Sequence, residues 1–128
     1  MTLKNILKFI AIIWITLVPL TVSAAQFEAT GYDLTSSYTG LTATGFDLNN
    51  KDWATARTVA TDPNIIPMGT RMKIVFPGIW SYMTGIYTAR DTGSAIKGYI
   101  IDVYFGCTSG AHQNAIWFGR RNVQITFL

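Results

Sequence analysis

The chain is poor in the residues that most often announce a chemistry. It has one cysteine, Cys107, and one histidine, His112. A lone cysteine excludes an intrachain disulfide framework, and the two residues together cannot close a zinc site. Charged residues make up only 13% of the 128, with ten Lys/Arg against seven Asp/Glu. That balance excludes an acidic tail and a polybasic arm. Basic residues are scattered except for Arg120-Arg121, so no nucleic-acid partner is expected. No glycine-rich turn ends in Gly-Lys-Ser/Thr, and no Gly-x-Ser-x-Gly elbow accompanies His112, which removes phosphate loops and serine-hydrolase triads. A Cys107–His112 pair is chemically conceivable, but a small buried thiol beside a surface histidine is the simpler reading. No metal and no cofactor are expected.

One long apolar run is present, and it is N-terminal. Lys4 and Lys8 give a positive start, Phe9–Leu20 carries no charge over 12 residues, Pro19 interrupts its end, and Val22-Ser23-Ala24-Ala25 supplies small residues. These are the three parts of a secretory signal. The rival reading is a membrane anchor, but a span takes about 20 apolar residues, reached here only by adding Ile6 and Leu7 across Lys8. The signal reading assigns residues 1–25 to the leader, with cleavage near Ala24-Ala25, and residues 26–128 to one domain. It places the protein in the periplasm or the extracellular wall, touching the membrane only through the leader. No cysteine stands directly after the leader, so a lipoprotein anchor is not expected. Without Lys4 and Lys8 the balance is eight basic against seven acidic residues, so the isoelectric point near 9.2 says little about partners. A domain of roughly 100 residues buries enough surface for one core without disulfides. It is expected to be a monomer.

The rest reads as short strands and turns. Strands are expected at Gln26–Tyr32, Arg57–Thr61, Arg71–Phe76, Gly85–Arg90, Tyr99–Phe105 and Asn122–Leu128. Asp62-Pro63-Asn64, Pro77-Gly78 and Asp91-Thr92-Gly93 punctuate them. In Arg71–Phe76, Met72, Ile74 and Phe76 share one face. Ser109–Phe118 reads as a helix, with Ser109 as N-cap and Gly119 beyond its end, and a second short helix is weakly indicated near Ala95. An internal echo, Ala29-Thr30-Gly31-Tyr32-Asp33-Leu34 and Ala43-Thr44-Gly45-Phe46-Asp47-Leu48, reads as two similar strand-to-turn segments, since two copies do not make a solenoid. The pattern predicts a compact β barrel or sandwich.

Carboxylates carry what chemistry remains. Most of the seven sit in turns, but Asp102 lies inside Tyr99-Ile100-Ile101-Asp102-Val103-Tyr104-Phe105. Strand alternation puts Ile100, Asp102 and Tyr104 on one face. A carboxylate among apolar neighbours is costly when ionised, and desolvation or a second carboxylate raises its pKa, which is how a general acid for neutral pH is made. The residues alone leave two readings open: a catalytic acid, or an aspartate accepting backbone N–H bonds from a neighbouring loop.

Several short motifs occur in a fixed order: Ala60-Thr61-Asp62-Pro63, Ile66-Pro67-Met68-Gly69-Thr70, Ala89-Arg90-Asp91-Thr92-Gly93, Ala95-Ile96-Lys97-Gly98 and Ile101-Asp102-Val103-Tyr104-Phe105, then Gly119-Arg120-Arg121 and a final strand. Together they resemble the 3D domain, named for three aspartates and found in bacterial cell-wall proteins and in the catalytic region of membrane-bound lytic transglycosylase A. The resemblance runs from about Glu28 to Leu128. It implies a six-stranded double-psi β-barrel with one or two short helices, and a groove for peptidoglycan glycan strands. The family aspartates fall on Asp62, Asp91 and Asp102, with Asp102 at the catalytic acid's position and Asp91 beside it. The implied activity is a lytic transglycosylase that cuts between N-acetylmuramic acid and N-acetylglucosamine and leaves a 1,6-anhydro end. Asp62 would hold a loop or a substrate hydroxyl. Trp80 or Tyr82, in an expected loop excursion over Phe76–Gly85, would line the groove, and Lys97 would hold substrate or pair with an aspartate. Trp53 and Trp117 are further rings able to stack on sugars. The sequence departs from the family pattern at Arg90, Ser94 and Ile100. The alternatives are a glycan-binding or expansin-like wall-loosening module that cuts nothing, and a hydrolytic endoglucanase on a related barrel.

Overall fold

The computed structural model describes residues 23–35 and 39–128; the leader assigned to residues 1–25 lies almost wholly outside them. Six strands form a closed barrel: β1 (Ala25–Tyr32), β2 (Thr58–Thr61), β3 (Arg71–Val75), β4 (Gly85–Asp91), β5 (Ile100–Tyr104) and β6 (Arg121–Phe127), in the spatial order β1-β5-β2-β4-β3-β6. β6 closes the ring by pairing antiparallel with β1. β1/β5 and β2/β4 are parallel and the other pairs antiparallel. This is the mainly β, double-psi barrel that the resemblance implies.

Alternation along each strand fills the interior. Phe27, Ala29, Val59, Met72, Ile74, Tyr87, Ala89, Ile101, Val103, Val123 and Ile125 are all buried in one cluster. Residues between them point outward. On β1 these are Glu28, Thr30 and Tyr32; on β5 they are Ile100, Asp102 and Tyr104. Asp102 is therefore on the outer wall of the barrel, not in its core. Tyr104 is buried there by a second, smaller cluster with Leu48 and Ala56, against which Tyr32, Leu34 and Phe46 pack.

α2 here denotes Ser109–Phe118, which lies against β1, with Ala111, Ala115 and Phe118 buried. The close approach requires glycine at position 31: a Cβ there would stand 2.7 Å from the Phe105 ring and 3.3 Å from Ala115 Cα. The helix is capped by Thr108, whose hydroxyl accepts from the Ala111 N–H at 3.1 Å, rather than by Ser109. The other helix, α1 (Trp53–Ala56), is a single turn capped by Asp52; the segment near Ala95 is a turn, not a helix.

Two further expectations are corrected. Arg57 does not begin β2: it is in the left-handed region (φ 43°) and ends α1, donating its N–H to Trp53 O. Phe76–Gly85 is not an excursion from the fold. Gly78–Met83 forms a 3-10 helix that presses Trp80 and Met83 onto the core.

Candidate functional site

Strand register assembles the site. Asp102 pairs with Thr30 on one side and Ala60 on the other. Between Val59 and Ala60 the β2/β4 register shifts, so that Val59 faces Ala89 but Ala60 faces Asp91. The irregularity skips Arg90 and turns Asp91 to the outer wall, which regular alternation from the buried Ala89 would not do. Ala60 is thus flanked by Asp102 on β5 and Asp91 on β4, and its methyl leaves room between them. Both aspartates, with Tyr32, Leu48, Ala60 and Gly93, line an open cleft of about 390 Å³.

The two carboxylates are held differently. Asp102 Oδ1 accepts from the Thr30 hydroxyl at 2.9 Å. Burial pushes the Asp102 carboxyl up to about 6; the Thr30 hydrogen bond opposes the rise and the charge of Asp91 adds to it. Asp91 Oδ1 accepts from the backbone N–H groups of Ala43 (3.0 Å) and Thr92 (2.9 Å). It thereby anchors the 39–48 segment, which also donates from Thr44 N–H and Oγ1 to Arg90 O. The Arg90 guanidinium turns away, donating to Ala56 O at 2.6 Å and Thr58 Oγ1 at 2.8 Å and stacking over Phe46 at 4.0 Å.

Tyr32 completes this wall. Its hydroxyl is buried with no hydrogen-bond partner among the described residues. Burial first, then the charges of Asp91 and Asp102, raise its pKa, so the phenol keeps its proton. A buried orphan hydroxyl costs stability. Tyr32→Phe is accordingly expected to stabilise the domain by about 1 kcal/mol, read as a melting temperature several degrees higher. An unchanged or lower value would mean that the hydroxyl is satisfied.

The remaining sequence candidates lie elsewhere. Asp62 is only 7% exposed. Its Oδ2 accepts from Gly98 N–H at 2.9 Å and its Oδ1 from Asn64 N–H at 3.0 Å. These two bonds, Gly98 first, hold its carboxyl below the usual range; it fastens the end of β2 to the loop before β5. Lys97 is exposed in that loop, near enough to Asp62 to favour its ionised form. Trp80 is buried (2% exposed) and packs edge-on against Trp117, Phe118 and Phe105 at 5.2–5.8 Å. Tyr82 and Trp117 are exposed but belong to this aromatic cluster, as does Trp53; none of the four lines the cleft.

Sequence reasoning missed Thr30, Tyr32 and the Asp33–His112 pair. The echo carried part of the signal: its aromatic residues (Tyr32, Phe46) and leucines (Leu34, Leu48) all converge on the smaller cluster beneath the cleft, although the second copy is a turn with an isolated bridge, Leu41 to Asp47, rather than a strand. His112 Nδ1 is 2.9 Å from Asp33 Oδ2. Burial raises the Asp33 pKa, but bonds from Thr35 and His112 outweigh it and lower it overall. The pair ties α2 to the end of β1. Among the described residues no group of three or more His, Cys, Asp or Glu is placed to hold a metal ion, and no helix is long and apolar enough to cross a membrane.

The chain is similar to known proteins in sequence and in fold. The family model of the 3D domain matches residues 57–128. The "putative cell wall shaping protein YabE" of Bacillus subtilis is 38% identical over 109 residues, which are 85% of this chain and 23% of that protein. The "cell wall-binding protein YocH" of the same organism is 41% identical over 92 residues, 72% of this chain and 28% of YocH. The lytic transglycosylase MltA of Escherichia coli superposes with a TM-score of 0.57 at 27% identity, covering 72% of this chain and 28% of MltA. MltA with bound chitohexaose gives 0.53 at 26% identity, covering 67% and 27%. The chain thus spans about a quarter of the length of each of these proteins. With the family model matching more than half of the chain, and with the barrel and its paired aspartates in place, the chain belongs to the 3D domain family.

Proposed function

We propose that the protein is an exported, metal-independent lytic transglycosylase acting on peptidoglycan glycan strands. The observation that carries this reading is Asp102: a carboxyl raised to about 6, beside a second carboxylate, on the wall of an open cleft. The similarity to cell-wall proteins and to a lytic transglycosylase solved with chitohexaose supports the choice of substrate.

The chemistry needs one acid that becomes a base. Asp102 gives its proton to the oxygen linking N-acetylmuramic acid to N-acetylglucosamine, and the C1–O bond breaks. The 6-hydroxyl of the same muramic residue attacks C1, and the Asp102 carboxylate removes that hydroxyl's proton. The products are a 1,6-anhydro end and a free 4-hydroxyl, with no water consumed. Because the nucleophile is internal, no second carboxylate is required as nucleophile or base. Burial, with the charge of Asp91 adding to it, keeps the proton on Asp102 at rest, and Asp91 stabilises the positive charge developing at C1. Export would follow from the N-terminal leader; a cut after Ala24 would leave β1 whole, since Ala25 pairs with Ile125.

The test is the product. Mature protein incubated with purified peptidoglycan should release muropeptides one water lighter than hydrolysed ones by mass spectrometry. Hydrated ends would make it a hydrolase. Sedimentation with the wall and no fragments would make it a binding module, the reading favoured by its similarity to YocH.

A further inference from the structure

We infer that Thr30 is a positioning residue for Asp102, reserving one carboxyl oxygen so that the mobile proton rides on the other. This rests on the proposed acid/base role of Asp102.

The Thr30 hydroxyl has a single proton and two acceptors within reach, Asp102 Oδ1 at 2.9 Å and Ile101 O at 3.4 Å. The shorter contact takes it. Thr30 and Asp102 are register partners on adjacent parallel strands, so the contact is fixed by the backbone and not by a loop. With Oδ1 occupied by a donor, the acid's own proton is left to Oδ2. A proton on Oδ1 would instead have to displace the Thr30 donor. The same bond serves both halves of the reaction. It persists when Oδ2 is protonated and strengthens when the carboxylate is charged, which limits the cost of ionising a desolvated group.

The groups facing Asp102 leave this task to Thr30. β4 presents Asp91, which repels the ionised form. β2 presents Ala60, which has nothing to donate. On β1, Glu28 is engaged by Arg120, and the Tyr32 hydroxyl makes no hydrogen bond. On β5, the Tyr104 hydroxyl donates to Lys51 O at 2.8 Å. Thr30 is the one side chain found donating to Asp102 among the described residues.

Thr30→Val keeps the shape and removes the donor; Thr30→Ser keeps the donor. The carboxyl carbon of Asp102 is followed by NMR across pH in the wild type and both variants, beside the pH profile of cleavage. Thr30→Val should move the Asp102 midpoint upward by roughly one pH unit, carry the alkaline limb of the profile with it, and lower kcat about tenfold with KM little changed. Thr30→Ser should behave as wild type. An unmoved midpoint in Thr30→Val, or a Thr30→Ser shifted as far as Thr30→Val, overturns the inference. If Thr30→Val does not fold, Thr30→Ser still decides: loss of wild-type titration in a variant that keeps the hydroxyl contradicts it. A wild type that cuts nothing defeats the enzymatic reading, while the titrations still judge the Thr30 bond on its own.

Discussion

Asp102→Asn is expected to abolish glycan cleavage and to make the domain more stable at neutral pH. The loss should be roughly a hundred- to ten-thousandfold in kcat, since the amide neither gives nor recovers a proton and general acid–base catalysis contributes about that much. The gain follows from linkage. A carboxyl whose folded pKa is raised from 3.8 to about 6 binds more protons folded than unfolded between those values. Stability therefore falls as pH rises through that window, by about 3 kcal/mol in total. Asn carries no such charge. The variant should match the wild type in stability near pH 3 and exceed it by about 2–3 kcal/mol at pH 7. Urea unfolding at the two pH values reads the difference directly. Equal stabilities at both would show that Asp102 is not destabilised in its ionised form.

Trp80→Ala is expected to cost stability rather than substrate recognition. The ring is 2% exposed, in contact with Trp117, Phe118 and Phe105. Truncating a buried Trp costs about 3–5 kcal/mol, a large part of the 5–15 kcal/mol that holds an ordinary domain together. The melting temperature should fall by on the order of 20 °C. Trp80→Phe should restore most of it, because the indole Nε1 makes no hydrogen bond among the described residues and only packing is lost. Tyr82→Ala, by contrast, should change stability by under about 1 kcal/mol, since that ring is 57% exposed. A Trp80→Ala protein that keeps its melting temperature but loses glycan affinity would return Trp80 to the groove.

The contrast between Asp102 and Trp80 shows what the sequence could reveal. Strand alternation placed Ile100, Asp102 and Tyr104 on one face, and the structure has Ile101 and Val103 buried on the other. Period two is a local property, so it survives the passage from chain to fold. Which face is the outer one is not local: it depends on β1 and β2 flanking β5 and on the 39–56 segment that covers Tyr104. The meeting of Asp91 with Asp102 depends on the register shift beside Ala60, and Arg57–Thr61 has no residue that announces it. Thr30 and Asp102 are 72 residues apart, and only the parallel β1/β5 pairing makes them neighbours. Trp80 lies in the core and not in the groove because the segment after Pro77-Gly78, which reads as a loop, is wound into a 3-10 helix that returns Trp80 and Met83 to the core. Asp62-Pro63-Asn64 is legible as a turn because its Asx hydrogen bond to Asn64 N–H is local, whereas the bond from Gly98 N–H, 36 residues on, is not.

The most direct measurement is the titration of the Asp102 carboxyl carbon in the unliganded wild-type protein. A midpoint near 6, some two units above an ordinary aspartate, is the result expected of a desolvated acid beside Asp91 that is still loaded with its proton in mildly acidic buffer. A midpoint near or below 4 would mean that the group is already ionised there, with no proton to deliver to a glycosidic oxygen, and the catalytic account would be wrong.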